Sequence, residues 1–315
     1  MAKFAGGSTY NFGLGVSGQT SGFFIPEIYS KKVQIALRKA AVAEAICNTD
    51  YMGEISSFGD TVNIIKEPQI AVADYTRGLA VTSTALTDQE LVLTVDQAKS
   101  FSFKIDDLEK RFSHINFQAI AADNAAYALR DAMDSNILAA INAGATVTTG
   151  MGTTSTPIDI GFASGEVDPL NQMALAAKEL DEANAPEDGR WFVAAPEWYN
   201  QLSNSASKLM SVDFNAGQGS IRNGLVASGL LRGFQMYKSN NLPTNDLSGA
   251  TPAGSATAPV ALFGHMSSTA AASSMNKVET VRDTGTFSDI VRGLMVWGRK
   301  VLRPEVAGKI IYTID

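Results

Sequence analysis

The longest periodic signal in the chain runs from Asp106 to Gly144. Apolar side chains fall at Leu108, Phe112, Ile115, Ala119, Ala122, Ala126, Leu129 and Met133, in alternating steps of four and three, the spacing of one helical face. Nine alanines between Ala119 and Ala140 reinforce it, because alanine loses the least entropy on becoming helical. Asp106, Asp107 and Glu109 complement the helix dipole at the predicted start, and Gly144 stands at a natural stop. At about 1.5 Å per residue such a helix is roughly 40 to 55 Å long, more than an ordinary globular helix. Ser113 and Asn116 offer a second capped start, so a break near His114 is part of the expectation.

Upstream of this helix the period falls to two. Val62, Ile64, Leu91, Leu93, Val95, Phe101, Phe103 and Ile105 alternate with polar residues and predict half-buried strands between Tyr51 and Ile105. Gly59-Asp60 and Gly78 mark turns. The segment KEPQIAVADYTRGLAVTSTALTDQE between the strand runs is too long for an ordinary hairpin turn. It reads as an extended two-stranded excursion with little core of its own, which needs another surface to lie on. Residues 1–22 are rich in Gly, Ser and Thr with scattered Phe4, Tyr10 and Phe12, the composition of an arm that orders only against a partner. Pro26 opens a second predicted helix, roughly Glu27 to Asn48, apolar on one side and basic on the other.

Downstream, ATVTTGMGTTSTP is a polar linker and Asp168-Pro169 supplies the N-cap and first residue of another helix, with Leu170, Met173, Ala177 and Leu180 on its buried face. Arg190 to Ala194 reads as a buried strand, Pro196-Glu197-Trp198-Tyr199 opens a short helix, Phe214 to Gly233 is a glycine-rich loop, and Phe234 to Ser239 is a strand. This succession suggests a compact α/β unit over about 157–245, closed by SGATPAGSATAP. Four more strands follow at Val260 to Phe263, Val278 to Arg282, Ile290 to Val301 and Lys309 to Ile314. They are expected to form an antiparallel sheet on which the long helix packs. The fold class is therefore α+β, with one domain interrupted by an inserted unit.

Composition narrows the function. The 315 residues are 45% apolar and 18% charged, globular and poor in charge. No run of eighteen apolar residues exists to span a membrane, and the N-terminus lacks the apolar core of a signal peptide. The single cysteine, Cys47, excludes an internal disulfide framework and fits a reducing compartment. A net charge of −7 argues against gripping nucleic acid by neutralising phosphates, though not against lying beside it.

Catalytic chemistry is hard to find. Neither His114 nor His265 has a second metal-type ligand at useful spacing, and no HExxH, CxxC or GxSxG pattern occurs. Gly217-Gln218-Gly219 lacks the third glycine and preceding strand of a dinucleotide site. Asp106-Asp107 and Glu187-Asp188 fit a helix start and a turn better than a hydrolytic pair. Lys31-Lys32 and Arg38-Lys39 fit a solvated helix face, given the net charge. Arg299, Lys300 and Arg303 belong to a strand whose alternate residues are apolar, and an interface is the better reading for them. No catalytic, cofactor or metal residue is assigned, and the chain is not expected to be an enzyme.

What remains is organisation. The order is arm, helix, long β excursion, long alanine-rich helix, inserted α/β unit and return to a C-terminal sheet. Together with the phrases FIPEIYSKKV, FGDTVNI, RWFVAAPEWYNQL, LLRGFQMYKSNNLP and DIVRGLMVWGRKVLRPE, it resembles the major capsid protein of tailed bacteriophages, in the Hong Kong 97-type fold. The resemblance covers about Phe23 to Asp315. It implies an N-terminal arm and helix over 1–50, an extended loop over 51–105, a peripheral domain from 106–156 and 246–315 with Asp106 to Asn142 as its spine helix, and an axial domain over 157–245. It further implies self-assembly through hexamers and pentamers in the host cytoplasm into an icosahedral virion head around double-stranded DNA, with no sequence-specific binding, no membrane and no cofactor. The short arm before Pro26 points to a separate scaffolding protein, with portal and decoration proteins as further partners of such a shell. Lys66 and Lys99 lie in the loop, but no partner asparagine or glutamate for a covalent cross-link is identified. An encapsulin-like nanocompartment shell shares the fold and is the alternative. Lys66, Glu67, Asp74 and Arg77 in the loop, with Arg299 and Arg303 near the end, are the candidate intersubunit contacts. Solvated loop charges are the alternative reading, since exposed pairs contribute little.

Overall fold

The computed structural model describes residues 38–39, 41–53, 61–66, 70, 72, 74, 77–78, 89–107, 117–146, 150–204, 230–246 and 257–314. In chain order these form α1 (Ala43–Ile46), β1 (Thr61–Lys66), β2 (Gln89–Thr94), β3 (Gln97–Asp106), α2 (Phe117–Gly144), β4 (Ile158–Asp159), α3 (Pro169–Glu182) and β5 (Arg190–Ala194). There follow α4 (Pro196–Leu202), β6 (Leu230–Leu231), β7 (Phe234–Lys238), β8 (Thr244–Asp246), β9 (Thr257–His265), β10 (Thr269–Arg282), β11 (Ser288–Val301) and β12 (Ala307–Thr313).

The strands make three sheets. β1 and β2 form an antiparallel ribbon; β10, β11 and β3 form a three-stranded sheet; β4, β12, β9, β5, β7 and β6 run side by side in a seven-stranded sheet in which β8 also pairs with β9. The expected single C-terminal sheet is thus corrected. β10 and β11 fold on each other as a long hairpin, while β9 and β12 join β5 of the α/β unit.

Burial explains why both sheets need α2. In the seven-stranded sheet, alternate residues Phe192, Ala194, Ala261, Phe263, Ile310 and Tyr312 face α3 and α4, where Leu170, Met173, Ala176, Leu180 and Trp198 complete one core. The intervening Trp191, Val193, Val260, Leu262 and Ile311 belong to a second core with Met133, Ile137, Leu138 and Ile141 of α2. That second core also contains Ala271, Met295 and Trp297 of the three-stranded sheet. The C-terminal half of α2 is therefore a wedge between two sheets, which is why Arg190–Ala194 is buried on both faces and reads as a continuous run. Asp168 caps α3 as expected, its carboxylate accepting from the Leu170 amide at 2.9 Å. Ala176 rather than Ala177 completes the buried face of α3. The last turn of α2 is closed by a cation: Lys309 Nζ donates to the Asn142 carbonyl at 2.8 Å, while burial holds its pKa below the usual lysine range.

Two helical expectations change. Asp106 is the last residue of β3, paired with Ser288, because ten residues of ladder with β11 hold the chain extended that far; Asp107, directly after it, is helical. Within the described residues α2 begins at Phe117; the expected break at Ser113–Asn116 and His114 lie outside them. Of the helix expected over Glu27–Asn48, the described portion is helical only at Ala43–Ile46. Around it, tertiary hydrogen bonds win: buried Asp134 of α2 accepts from the amides of Val42 and Ala43, both at 2.7 Å. Asn48 is drawn instead into backbone bonds with Thr269 and Ala271. Asp134 also accepts from Asn241 Nδ2 at 2.9 Å, so one carboxylate ties together three remote segments.

Candidate intersubunit surfaces

The β1–β2 ribbon has two unlike faces. Cross-strand partners share a face in an antiparallel pair, so Val62 with Leu93 and Ile64 with Leu91 form the inner side. They pack with Val95, Ala270, Ala272, Val296 and Leu302 on the near half of the three-stranded sheet. The chain crosses that sheet at Gly298, where a Cβ would stand 2.5 Å from the Thr94 carbonyl oxygen; only glycine permits the approach. Arg299 follows at once and pairs with Asp96 at 3.2 Å, pinning the elbow between β2 and β3. Among the described residues none covers the outer side in this way. Ile65 is 77% exposed and Val92 40%, and Ile70 and Val72 beyond β1 are 75% and 97% exposed. A ribbon whose inner face alone is covered cannot be stable as an isolated strand pair.

The far half of the three-stranded sheet is bare on the side that the ribbon covers further back. Val281, partnered by Ile290, and Leu294 lie there beside the Arg292–Glu279 ion pair. On the opposite face Phe101 and Phe103 stack with centroids 6.0 Å apart, the Phe101 ring filling the space above Gly293. The hairpin end is laced with charge. Arg282 pairs with Asp107 and, at 3.0 Å, with Asp289; Lys104 pairs with Asp283 at 2.6 Å. Hydrogen bonds from Lys104, the Thr286 hydroxyl and the Gly285 amide hold the Asp283 carboxyl well below the usual carboxylate range. A group with a depressed folded pKa stabilises above its unfolded value, near 4, and loses that contribution as pH falls below it. Protection of the Gly285 and Ser288 amides from hydrogen exchange, corrected for intrinsic rate, is therefore expected to decline below about pH 4. Asp283→Asn should remove most of that dependence.

The remaining chemistry is structural. Both ring nitrogens of His265 are engaged, with Ser267 Oγ and the Asp188 carbonyl oxygen each at 2.8 Å, in the turn between β9 and β10. Cys47 is buried, and burial, with the nearby Asp134 charge, pushes its thiol up to about 12. Its reaction with an aromatic disulfide reagent at pH 8 is expected to be slow and to track global unfolding; rapid modification of the folded subunit would contradict this burial. Among the described residues no cluster of three His, Cys, Asp or Glu could hold a metal. None of the described helices is long and apolar enough to cross a membrane.

Of the contact candidates, Asp74 and Arg77 are exposed beyond β1, and Arg303 is exposed after β11. Lys66 ends β1 opposite Gln89, and Glu67 lies outside the described residues. Arg299 is half-buried and spends its charge on Asp96 of its own chain. Sequence reasoning did not single out Ile65, Ile70, Val72 and Val92 as a surface. For Ile65 and Val92 the signal that could have found them was an apolar residue on the wrong side of a period-two strand.

A family model described as phage capsid protein matches residues 88–310, more than half of the chain. The chain belongs to the phage capsid protein family. Among solved structures, one from Mycobacterium phage Che8 is 30% identical, with 92% of this chain and 97% of that one aligned at a TM-score of 0.76. A capsid of the cyanophage P-SCSP1u matches at 22% identity over 93% and 94% of the two chains, with a TM-score of 0.71. The capsid of a native GTA particle matches at 12% identity over 93% and 96%, at 0.63. Among curated proteins none matches the chain. The α+β fold is thus the Hong Kong 97-type capsid fold, and this phage major capsid protein is a structural component of the virion. Among the described residues, the ribbon's outer face and the hairpin end carry the exposed apolar side chains Ile65, Val92, Val281, Phe287 and Leu294.

Proposed function

We propose that this capsid protein assembles through hexamers and pentamers into an icosahedral head that encloses double-stranded DNA. The observation that carries the reading is the β1–β2 ribbon, covered on one face by its own chain and left with Ile65 and Val92 exposed on the other, with Ile70 and Val72 exposed in the segment that follows β1. Burying four such side chains against a neighbour supplies several kcal/mol per copy, repeated around a closed shell. The solved structures support it as shells in their own right, one the asymmetric unit of a mature capsid and another a particle with C5 symmetry.

In this reading 51–105 is the extended loop, α2 is the spine of a peripheral domain (106–156 and 246–315), and 157–245 is the axial domain. β9 and β12 pair beside β5 in the seven-stranded sheet, so in this reading the peripheral and axial domains share that sheet and a core. A net charge of −7 suits an inner wall past which DNA must slide during filling. Assembly in the host cytoplasm uses a separate scaffolding protein, with a portal at one vertex and decoration proteins outside. Particles isolated from producing cells are expected to contain nuclease-protected double-stranded DNA. Particles that instead enclose a single cargo enzyme would assign the chain to an encapsulin-like compartment.

A further inference from the structure

The far end of the β10–β11 hairpin is held by polar groups yet turns its largest apolar side chain outward. Phe287 is 81% exposed. Its backbone is fixed on both sides: the Asp107 amide donates to the Phe287 carbonyl at 3.0 Å, and the Ser288 amide donates to the Thr286 carbonyl at 2.9 Å. Asp283 closes the turn by accepting from the Gly285 amide at 3.1 Å and the Thr286 hydroxyl at 2.6 Å. A flexible loop would let the ring fold back onto the sheet. This one presents it from an ordered backbone, and an aromatic side chain with little freedom left to lose is the usual form of a binding anchor.

The charges around the ring are matched within the chain. Arg282 is paired with Asp107 and Asp289, Lys104 with Asp283, and Arg292 with Glu279. A tip of one sign would repel its own copies, whereas a collar of paired opposite charges beside an apolar ring suits contact with an identical chain. The exposed Val281 and Leu294 extend the apolar surface back along the same hairpin.

We propose that Phe287 is an apolar anchor that each subunit buries against a neighbouring copy of this chain in the assembled shell. The proposal rests on the shell reading above and adds to it a named residue and an apolar mode of contact. The test combines Phe287→Ala with footprinting of the unaltered protein, both in the presence of scaffolding protein. The variant subunit should melt at the unaltered temperature, because the ring touches little of its own chain. The concentration at which particles form, followed by light scattering and electron microscopy, should rise roughly 30-fold, the loss expected of an interface hot spot. Hydroxyl-radical oxidation of Phe287 should be rapid in free subunits and suppressed in particles. An unchanged assembly threshold, or equal oxidation in subunits and particles, would overturn the anchor while leaving the shell reading intact. Failure of the unaltered protein to form particles would overturn both.

Discussion

Asp134→Ala is expected to destabilise the subunit by about 3 to 4 kcal/mol, read as a lowered denaturation midpoint with an unchanged dependence on denaturant. Asp134 is 2% exposed. Its Oδ1 receives the amides of Val42 and Ala43, and its Oδ2 receives the Asn241 side chain. Alanine leaves two backbone donors in a buried setting with no acceptor, and each such donor costs about 1–3 kcal/mol. Asn241 retains Asp131, at 2.6 Å, so its loss is partial. Asp134→Asn keeps the shape and one carbonyl oxygen and should recover about half of the effect. The same change should also loosen the segment around Cys47, so thiol modification should accelerate in the alanine variant. A loss below about 1 kcal/mol would mean that water replaces the carboxylate.

The second large effect concerns assembly rather than stability. Ile65→Asp combined with Val92→Asp should leave the subunit folded, with stability within about 0.5 kcal/mol per site, because neither side chain is buried in its own chain. Shell formation should be lost, since a carboxylate enclosed at a contact without a partner costs several kcal/mol in every copy. Size exclusion should then show folded subunits or small oligomers and no particles. The matched change on the inner face, Leu93→Asp, should instead prevent folding, because Leu93 is fully buried in the core beneath the ribbon. The contrast between two residues one position apart is the sharpest consequence of the strand's period.

The elements whose information is local were legible from the chain. The alanine-rich helix, the Asp168 cap, the buried strand at Arg190–Ala194 and the alternation along the ribbon all appear where their residues indicate. The errors share a cause. Asp106 carries a helix-start signal, but its conformation is set by a strand nearly two hundred positions away. The helix expected through Asn48 gives way because its backbone donors find better partners in Asp134 and β10. Strand order is equally non-local: nothing in Val260–Phe263 or Lys309–Ile314 states that they pair with β5 rather than with the β10–β11 hairpin. Of the candidate contacts, charged residues drew attention because charge is visible in a sequence. Arg299 turned out to serve its own elbow, whereas the exposed apolar side chains at Ile65, Val72 and Phe287 become conspicuous only when burial is known. A lone phenylalanine in an Asp-Thr-Gly-Thr turn carries no pattern of its own.

The central claim is that the surfaces left bare in one subunit are completed by identical subunits in a closed shell. Electron microscopy of the purified protein, with a scaffolding protein supplied, tests it most directly. Closed particles of uniform size with five-fold and six-fold clusters of subunits are the expected result. A strictly monomeric protein at high concentration, with scaffold present, would contradict it.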